Sequence, residues 1–240
     1  MTDHVATVTS QIIPRMHFQP GEPKDKPVPL DPASTTYTSN ISALHMHKRA
    51  LEDFQTWYRQ HPSPLEVLDA GCGSGYMVLA FAVLLAELGS TGSTVVGVDA
   101  FAEAVVLSRK NIRNVTLKDG YTVQENYSGT YLLKKEEKEA EPVATMRVED
   151  AQGVRKQHLT ADKKYDVIHL GYQVSPEAWQ ELAGHLNTGG LLMGPKKTQW
   201  CVLSADSKKT QSGAKWCVLS ADSETCPVGV NYEKSVETET

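Results

Sequence analysis

Apolar positions follow two different spacings along the chain, and each spacing predicts its own kind of element. Across residues 41–60, apolar side chains recur every three or four positions after Ser42, a candidate N-cap, which predicts an amphipathic helix. Short apolar runs at 65–69, 94–98, 143–148, 165–170 and 191–193 predict buried strands, with helical patterns at 76–88, 102–111 and 176–186. Elements that alternate in this order are typical of parallel βαβ units.

The chain length favours one domain. With 240 residues, of which 40% are hydrophobic, the chain can bury the core of one substantial α/β domain, whereas two domains would each have a thin core. We therefore expect a single domain over residues 1–240, built on a doubly wound, mostly parallel sheet.

Three segments fall outside this regular pattern. Five prolines between Pro20 and Pro32 predict an extended arm or lid within residues 1–40, because each fixes φ and lacks a backbone donor. Residues 115–142, which end in a charge run, predict an insertion formed by a solvated helix face or a loop. The run WCVLSADS occurs at 200–207 and again at 216–223, which predicts an antiparallel hairpin in the C-terminal region 199–233.

Charge and cysteine content argue against several classes of partner. A net charge of -5 disfavours nucleic acid and membrane surfaces, which are anionic. The four cysteines show no CxxC pair and no histidine at zinc-ligand spacing, so we expect neither a metal site nor a disulfide framework.

The sequence shows no signal for secretion or for a membrane span. Residues 1–14 show no secretory pattern, and no apolar run approaches the roughly 20 residues that a membrane-spanning helix needs. We expect a cytoplasmic monomer.

A glycine-rich loop, in the run LDAGCGSGY at residues 68–76, follows the first predicted strand. Gly71 and Gly73 allow a sharp turn and a close ligand at the carboxyl end of that strand, where open α/β sheets bind their ligands. A dinucleotide fingerprint would need glycine at the position of Tyr76, so the loop argues against NAD. The alternative to a ligand site is an ordinary strand-to-helix turn.

Two acidic residues at later strand ends suit a nucleoside. The loop spacing matches the D/E-x-G-x-G-x-G loop of methyltransferases that bind S-adenosylmethionine. Asp99 ends the next predicted strand, where a carboxylate can accept hydrogen bonds from both ribose hydroxyls. Asp150, which follows the strand at 143–148, would lie near the adenine; the alternative is a surface acid.

More of the chain resembles one methyltransferase family. The run ISALHMH at residues 41–47 is similar to the T-I-S-A-P-H-M-H segment of protein-L-isoaspartate (D-aspartate) O-methyltransferases. The runs VVGVDAFAEAV, YDVIHLG and LNTGGLLMGP match that family in order, as do PRMHFQP upstream and CPVGVNY near the end. The resemblance implies a Rossmann-like methyltransferase fold, a seven-stranded sheet with an antiparallel C-terminal hairpin.

The resemblance also implies an activity and a set of site residues. The family uses S-adenosyl-L-methionine, with S-adenosyl-L-homocysteine as product, to methylate the carboxyl group of L-isoaspartyl and D-aspartyl residues in damaged proteins, which initiates their repair. By this resemblance Ser42 occupies the active-site position. The implied cofactor-binding residues are Ile41, Ala43, Leu44 and His47 at the methionine end, Asp69, Gly71 and Gly73 at the loop, and Ser74, Asp99, Ala100, Asp150 and Ala151 around the nucleoside.

Several positions depart from the family pattern. Leu44 replaces its proline, Ala151 replaces a glycine, and Gly171-Tyr172-Gln173 stand where the family has Gly-Ala-Ala. These changes leave two alternatives open: a methyltransferase of the same fold with another substrate, and a binding module that keeps the nucleoside pocket without turnover. For Ser42 the alternative is a helix cap alone, and for His47 an ordinary buried or surface histidine.

Overall fold

A sheet of nine strands runs through the described part of the protein. The computed structural model describes residues 3–21, 25–30, 40–136, 142–150, 162–196, 199–205 and 216–219. A small ribbon of β1 (Val28–Pro29) and β2 (Asn40–Ile41) precedes the sheet. The nine strands are β3 (Glu66–Ala70), β4 (Ser93–Asp99), β5 (Tyr121–Glu125), β6 (Tyr131–Lys135), β7 (Ala144–Asp150), β8 (Tyr165–Leu170), β9 (Leu186–Lys196), β10 (Gln199–Ala205) and β11 (Trp216–Leu219).

The five central strands are parallel, and β3 lies in the middle of them. The order across the sheet is β11-β10-β9-β8-β3-β4-β7-β6-β5, with β3 paired to β4 on one side and to β8 on the other. The chain therefore moves outward from β3 through β4 and later returns to the opposite side of β3 at β8. In open α/β sheets such a switch point leaves a crevice at the carboxyl ends of the strands.

Helices cover both faces of the sheet, as predicted for a doubly wound fold. The α-helices in the described ranges are α1 (His4–Thr7), α2 (Leu44–Tyr58), α3 (Tyr76–Glu87), α4 (Ala102–Asn114) and α5 (Pro176–Ala183). Val67 of β3 belongs to the core that α2, α3 and α4 share, whereas its neighbour Leu68 belongs to the core under α5. The continuous apolar run in β3 therefore reflects a strand buried on both faces.

The prediction of seven strands is wrong, because the described residues contain nine in one sheet. The additional pair comes from the segment 115–142, where β5 and β6 form an antiparallel hairpin instead of a helix face or loop. Tyr121, Tyr131 and Leu133 are 0–2% exposed at this edge of the sheet. In the connecting turn, the Asn126 side chain accepts a hydrogen bond from Ser128 N at 2.9 Å. The alternation of these buried positions is short and lies within a polar sequence, which concealed the strands.

Residues 3–21 pack into the core, so the predicted arm does not apply to them. α1 continues into a π-helical turn at Val8–Ile12, and a 3-10 turn follows at Arg15–Phe18. Val8, Ile12 and Phe18 are 0–2% exposed. The prediction relied on the prolines at 20–32 and gave too little weight to the apolar residues before them. Residues 22–24 and 31–39 lie outside the described ranges.

α2 begins at Leu44, whereas the sequence predicted a helix from residue 41. Ile41 is instead extended and pairs with Val28 in the small ribbon. The N-cap of α2 is Ala43, and no side chain makes a capping hydrogen bond there. Ser42 is therefore not the helix cap, and the capping alternative for this residue is wrong.

The predicted C-terminal hairpin is confirmed. β10 and β11 pair antiparallel, with Val202 opposite Leu219 and Ala205 opposite Trp216. β9 begins at Leu186, before the predicted strand at 191–193, and its register with β8 shifts between Leu186 and Leu191. Residues 220–233, including the run CPVGVNY, lie outside the described ranges. None of the helices in those ranges is long and apolar enough to span a membrane.

Candidate active site

A pocket opens at the switch point between β3 and β8. It is lined by residues 40–47, by the glycine loop and the start of α3, by the end of β8 and by Pro195 of β9. The fold thereby brings together segments that are far apart in the sequence. The sequence-predicted residues that line the pocket are Ile41, Ser42, His47, Asp69, Gly71, Gly73 and Ser74.

Hydrogen bonds to the end of β4 hold the glycine loop. Gly71 N and Cys72 N both donate to Val98 O, at 2.8 and 3.0 Å, and Gly73 N donates to the Asp99 carboxylate at 3.0 Å. Gly71 and Gly73 have φ values of 81° and 51°, in the left-handed region where a residue with Cβ is strained. The loop therefore turns sharply beside the pocket, as the glycine spacing predicts.

Gly71 also leaves room for the aromatic ring of Tyr172. A Cβ added to Gly71 would lie 2.2 Å from Tyr172 Cδ1. We expect Gly71→Ala to lower the free energy of unfolding by about 2–3 kcal/mol, because about 1–2 kcal/mol of left-handed strain adds to displacement of the ring. In a Tyr172→Ala background only the strain of about 1–2 kcal/mol should remain. Urea unfolding of the wild type, Gly71→Ala, Tyr172→Ala and the double variant measures the loss of unfolding free energy in each background. Equal losses in the wild-type and Tyr172→Ala backgrounds would contradict the contact between Tyr172 and position 71.

Asp69 is buried at the end of β3, and one of its two carboxylate oxygens lacks a partner. Its Oδ1 lies 2.7 Å from Nδ1 of His169, the neighbouring residue on β8. Its Oδ2 is buried and makes no hydrogen bond to any described residue. A buried carboxylate oxygen without a donor is unfavourable. Oδ2 is therefore a candidate acceptor for a donor group on a bound ligand.

Asp99 lies behind the glycine loop. Its Oδ2 accepts from Gly73 N and its Oδ1 accepts from Phe101 N, both at 3.0 Å. Burial raises the pKa of this carboxyl group above its ordinary value. Each oxygen has a further lone pair that a ribose hydroxyl could use. Asp99 is not among the residues that line the pocket, however, and its contact with a ribose stays a prediction.

The other predicted cofactor-binding residues either do not line the pocket or lie outside the described ranges. Ala43 is fully buried, Leu44 is half-buried and Ala100 is exposed, and none of the three lines the pocket. Asp150 ends β7, and Ala151 lies outside the described ranges. The cofactor contacts of these residues stay predictions.

Sequence reasoning missed a buried cluster behind Ser42. Arg15 Nη1 lies 2.7 Å from Nδ1 of His47, and Arg15 Nη2 donates to the Ser42 carbonyl. His47 stacks on the Tyr76 ring with the centroids 4.9 Å apart, and the guanidinium carbon of Arg15 lies 5.3 Å from the same ring centroid. Burial lowers the pKa of His47 well below its usual value and raises the pKa of Tyr76 to about 12. Both groups are therefore neutral at physiological pH.

His169 was also missed, although its strand was predicted. It is the polar residue near the end of the otherwise apolar run VIHL, and a histidine in a strand buried on both faces signals a specific partner. For Arg15 the signal was its place in the run PRMHFQP, which was matched only as a segment. No group of three or more His, Cys, Asp or Glu side chains in the described ranges could hold a metal ion.

The sequence of this chain matches one family over most of its length. The family model of protein-L-isoaspartate(D-aspartate) O-methyltransferase matches residues 1–215. Protein-L-isoaspartate O-methyltransferase 2 of Arabidopsis thaliana is 29% identical over 191 residues, which are 80% of this chain and 50% of that protein. Protein-L-isoaspartate O-methyltransferase 1 of the same plant is 30% identical over 165 residues, which are 68% of this chain and 58% of that protein. The chain thus spans about half the length of these relatives.

A solved structure shares the fold. A Plasmodium falciparum protein described as a protein-L-isoaspartate O-methyltransferase, in complex with S-adenosyl-L-homocysteine, superposes with a TM-score of 0.61. The two chains are 20% identical, and the match covers 91% of this chain and 87% of the other. At this identity the structural likeness shows the fold alone. Family membership is shown by the family model, which covers far more than half of the sequence. The chain belongs to the protein-L-isoaspartate (D-aspartate) O-methyltransferase family.

Proposed function

We propose that this chain uses S-adenosyl-L-methionine to methylate the carboxyl group of L-isoaspartyl, and D-aspartyl, residues in damaged proteins and so initiates their repair. Family membership supports the reaction, and the Plasmodium falciparum complex supports the cofactor. The observation that carries the proposal is the buried Asp69 Oδ2, which has no hydrogen-bond partner among the described residues. Asp69 lines the pocket together with the glycine loop and Ser42.

The pocket residues fit such a cofactor. Its methionine end carries an ammonium group, for which Asp69 Oδ2 is a suitable acceptor, and the Cβ-free backbone at Gly71 and Gly73 permits close approach. When bound, the cofactor supplies a methyl group that a carboxylate oxygen can attack. The proposed cofactor-binding residues are Ile41, Ala43, Leu44, His47, Asp69, Gly71, Gly73, Ser74, Asp99, Ala100, Asp150 and Ala151.

The acceptor needs positioning more than activation. A carboxyl group has a pKa of roughly 4, so it is ionised at neutral pH and requires no general base. Ser42 lines the pocket, and its hydroxyl is not used to cap α2. We assign to Ser42 a hydrogen bond to the substrate carboxylate that holds one oxygen in line with the methyl group. Positioning of this kind contributes up to about 7–11 kcal/mol to catalysis.

The test is the methylation of a defined peptide. Incubation with labelled S-adenosyl-L-methionine and an isoaspartyl peptide should yield a base-labile methyl ester. The same peptide with a normal aspartyl residue is the control and should remain unlabelled. Equal labelling of the two peptides would refute the proposed specificity.

We further propose that residues 1–240 act as one methyltransferase domain, a monomer in the cytoplasm that takes peptides and proteins and has no nucleic-acid or membrane partner. The net charge of -5 supports the exclusion of anionic partners. Gel filtration at the mass of one chain would support the monomer.

Another substrate class is the second candidate, and Tyr172 favours it. Its ring is 51% exposed and covers Gly71 beside the pocket, where the family pattern has a small residue. This bulk would change which substrates reach the pocket. Labelling of other carboxylates but not of the isoaspartyl peptide would support this candidate, whereas calorimetric binding of S-adenosyl-L-homocysteine without any turnover would support a binding module.

A further inference from the structure

Arg15 is a buried cation placed directly behind the pocket-lining segment 40–47. It is 7% exposed, and each of its three nitrogens has a partner. Nη1 lies 2.7 Å from His47 Nδ1, Nη2 donates to the Ser42 carbonyl, and Nε donates to Gln19 Oε1 at 2.9 Å. The planar guanidinium group therefore links two positions of this segment, Ser42 and His47.

The hydrogen bond from Arg15 determines the tautomer of His47. A guanidinium nitrogen can only donate, so His47 Nδ1 must accept, and the proton of the neutral ring resides on Nε2. Burial, followed by the nearby positive charge of Arg15, lowers the pKa of His47 and keeps the ring neutral. His47 lines the pocket, and its Nε2 makes no hydrogen bond to any residue in the described ranges. The ring thus offers one N–H donor that no described residue uses.

The positive charge of Arg15 is only weakly compensated within the described part of the chain: the Asp25 carboxylate attracts it without forming an ion pair and is itself hydrogen-bonded to His45. Its three hydrogen-bond partners are a backbone carbonyl, an amide oxygen and a neutral imidazole, and no ion pair joins it to an aspartate or glutamate there. A buried charge that is hydrogen-bonded only to neutral groups is unfavourable until an anion lies nearby. A carboxylate bound at the Ser42 hydroxyl would be such an anion.

We propose that Arg15 is a positioning residue for the methyl-accepting carboxylate: it fixes Ser42 and the His47 Nε2–H donor and supplies the positive charge behind them. The inference rests on the proposed function, because that function places a carboxylate in this pocket. It adds to that function a cation on the N-terminal turn, distant in sequence from the glycine loop.

Two substitutions separate the charge of Arg15 from its geometry. Arg15→Lys keeps the charge but cannot contact Ser42 and His47 together, and Arg15→Met removes both. We expect kcat/KM for an isoaspartyl peptide to fall about fivefold in Arg15→Lys and about tenfold or more in Arg15→Met. The Kd of S-adenosyl-L-homocysteine should change far less. Arg49→Met is the matched control, because Arg49 pairs with Asp53 on α2 away from the pocket and should leave both constants unchanged.

A binding measurement isolates the charge without turnover. With S-adenosyl-L-homocysteine present, the wild-type protein should bind the isoaspartyl peptide at least tenfold more tightly than the same peptide with a carboxamide at that carboxyl group. Arg15→Lys should keep most of this preference, and Arg15→Met should lose most of it. Nitrogen NMR should show the Nε2–H tautomer of His47 in the wild type and a mixture of tautomers in Arg15→Met.

These results distinguish the two proposals. Absence of methyl ester with the wild-type protein contradicts the proposed function. A second outcome contradicts only the inference: the wild type methylates the peptide, and both Arg15 variants keep the wild-type kcat/KM and the preference for the carboxylate while their melting temperatures fall. Arg15 would then have a purely structural role. If Arg15→Met does not fold, the kcat/KM of Arg15→Lys tests the inference, because that variant retains a buried cation. An unchanged kcat/KM in Arg15→Lys would then contradict the positioning role of Arg15.

Discussion

Replacing Asp69 with asparagine should weaken the binding of S-adenosyl-L-homocysteine by about 10- to 100-fold, the loss typical of one hydrogen bond to a charged group. Asparagine has nearly the same shape and can still accept at the position of Oδ1, 2.7 Å from His169. It removes the negative charge, however, and places an amide donor where Oδ2 would meet the ammonium group of the ligand. Calorimetry with the product cofactor measures the change directly.

The stability of the ligand-free protein should respond differently. Asp69→Asn removes a buried carboxylate oxygen that has no partner among the described residues, so the melting temperature without ligand should fall little, or rise. Asp53→Asn is the control, because Asp53 pairs with Arg49 outside the pocket and should not affect affinity. Wild-type affinity in Asp69→Asn would show that Oδ2 is not the ammonium acceptor and would remove the central support for the cofactor site.

The sequence predicts the central layer of the fold because burial there is complete. β3, β4 and β8 are covered on both faces, so each appears as a short continuous apolar run, and α3 is apolar on all sides because it is buried over nearly its whole length. The sharp turn of the glycine loop can also be predicted from the sequence, since Gly71 and Gly73 adopt backbone angles that other residues avoid.

Contacts between residues that are far apart in the sequence cannot be predicted from such local patterns. Arg15 donates to the carbonyl of Ser42, 27 positions away, and His169 meets Asp69 across 100 positions, so neither contact leaves a periodic pattern. The hairpin of β5 and β6 was missed for a related reason, because few of its side chains are buried at the sheet edge. The predicted cap at Ser42 was wrong because the pairing of Ile41 with Val28 delays the start of α2.

Replacing Ser42 with alanine should lower kcat/KM for the isoaspartyl peptide by about 10- to 100-fold, because one hydrogen bond to an ionised carboxylate is lost. The affinity for S-adenosyl-L-homocysteine and the melting temperature should remain near their wild-type values. Ala43 is the N-cap of α2, and Arg15 contacts the Ser42 backbone carbonyl, which alanine retains. Steady-state kinetics, calorimetry and thermal unfolding of one preparation measure the three quantities together.

Ser175→Ala provides the opposite control, because that serine does cap a helix. Its Oγ accepts from Ala178 N at 3.2 Å at the start of α5, so its loss should lower the free energy of unfolding by about 1 kcal/mol while kcat/KM is unchanged. Ser42→Ala should show the reverse pattern. If Ser42→Ala instead destabilises the protein as Ser175→Ala does and leaves kcat/KM intact, Ser42 is a structural residue, and the substrate carboxylate must be held by other groups of the pocket.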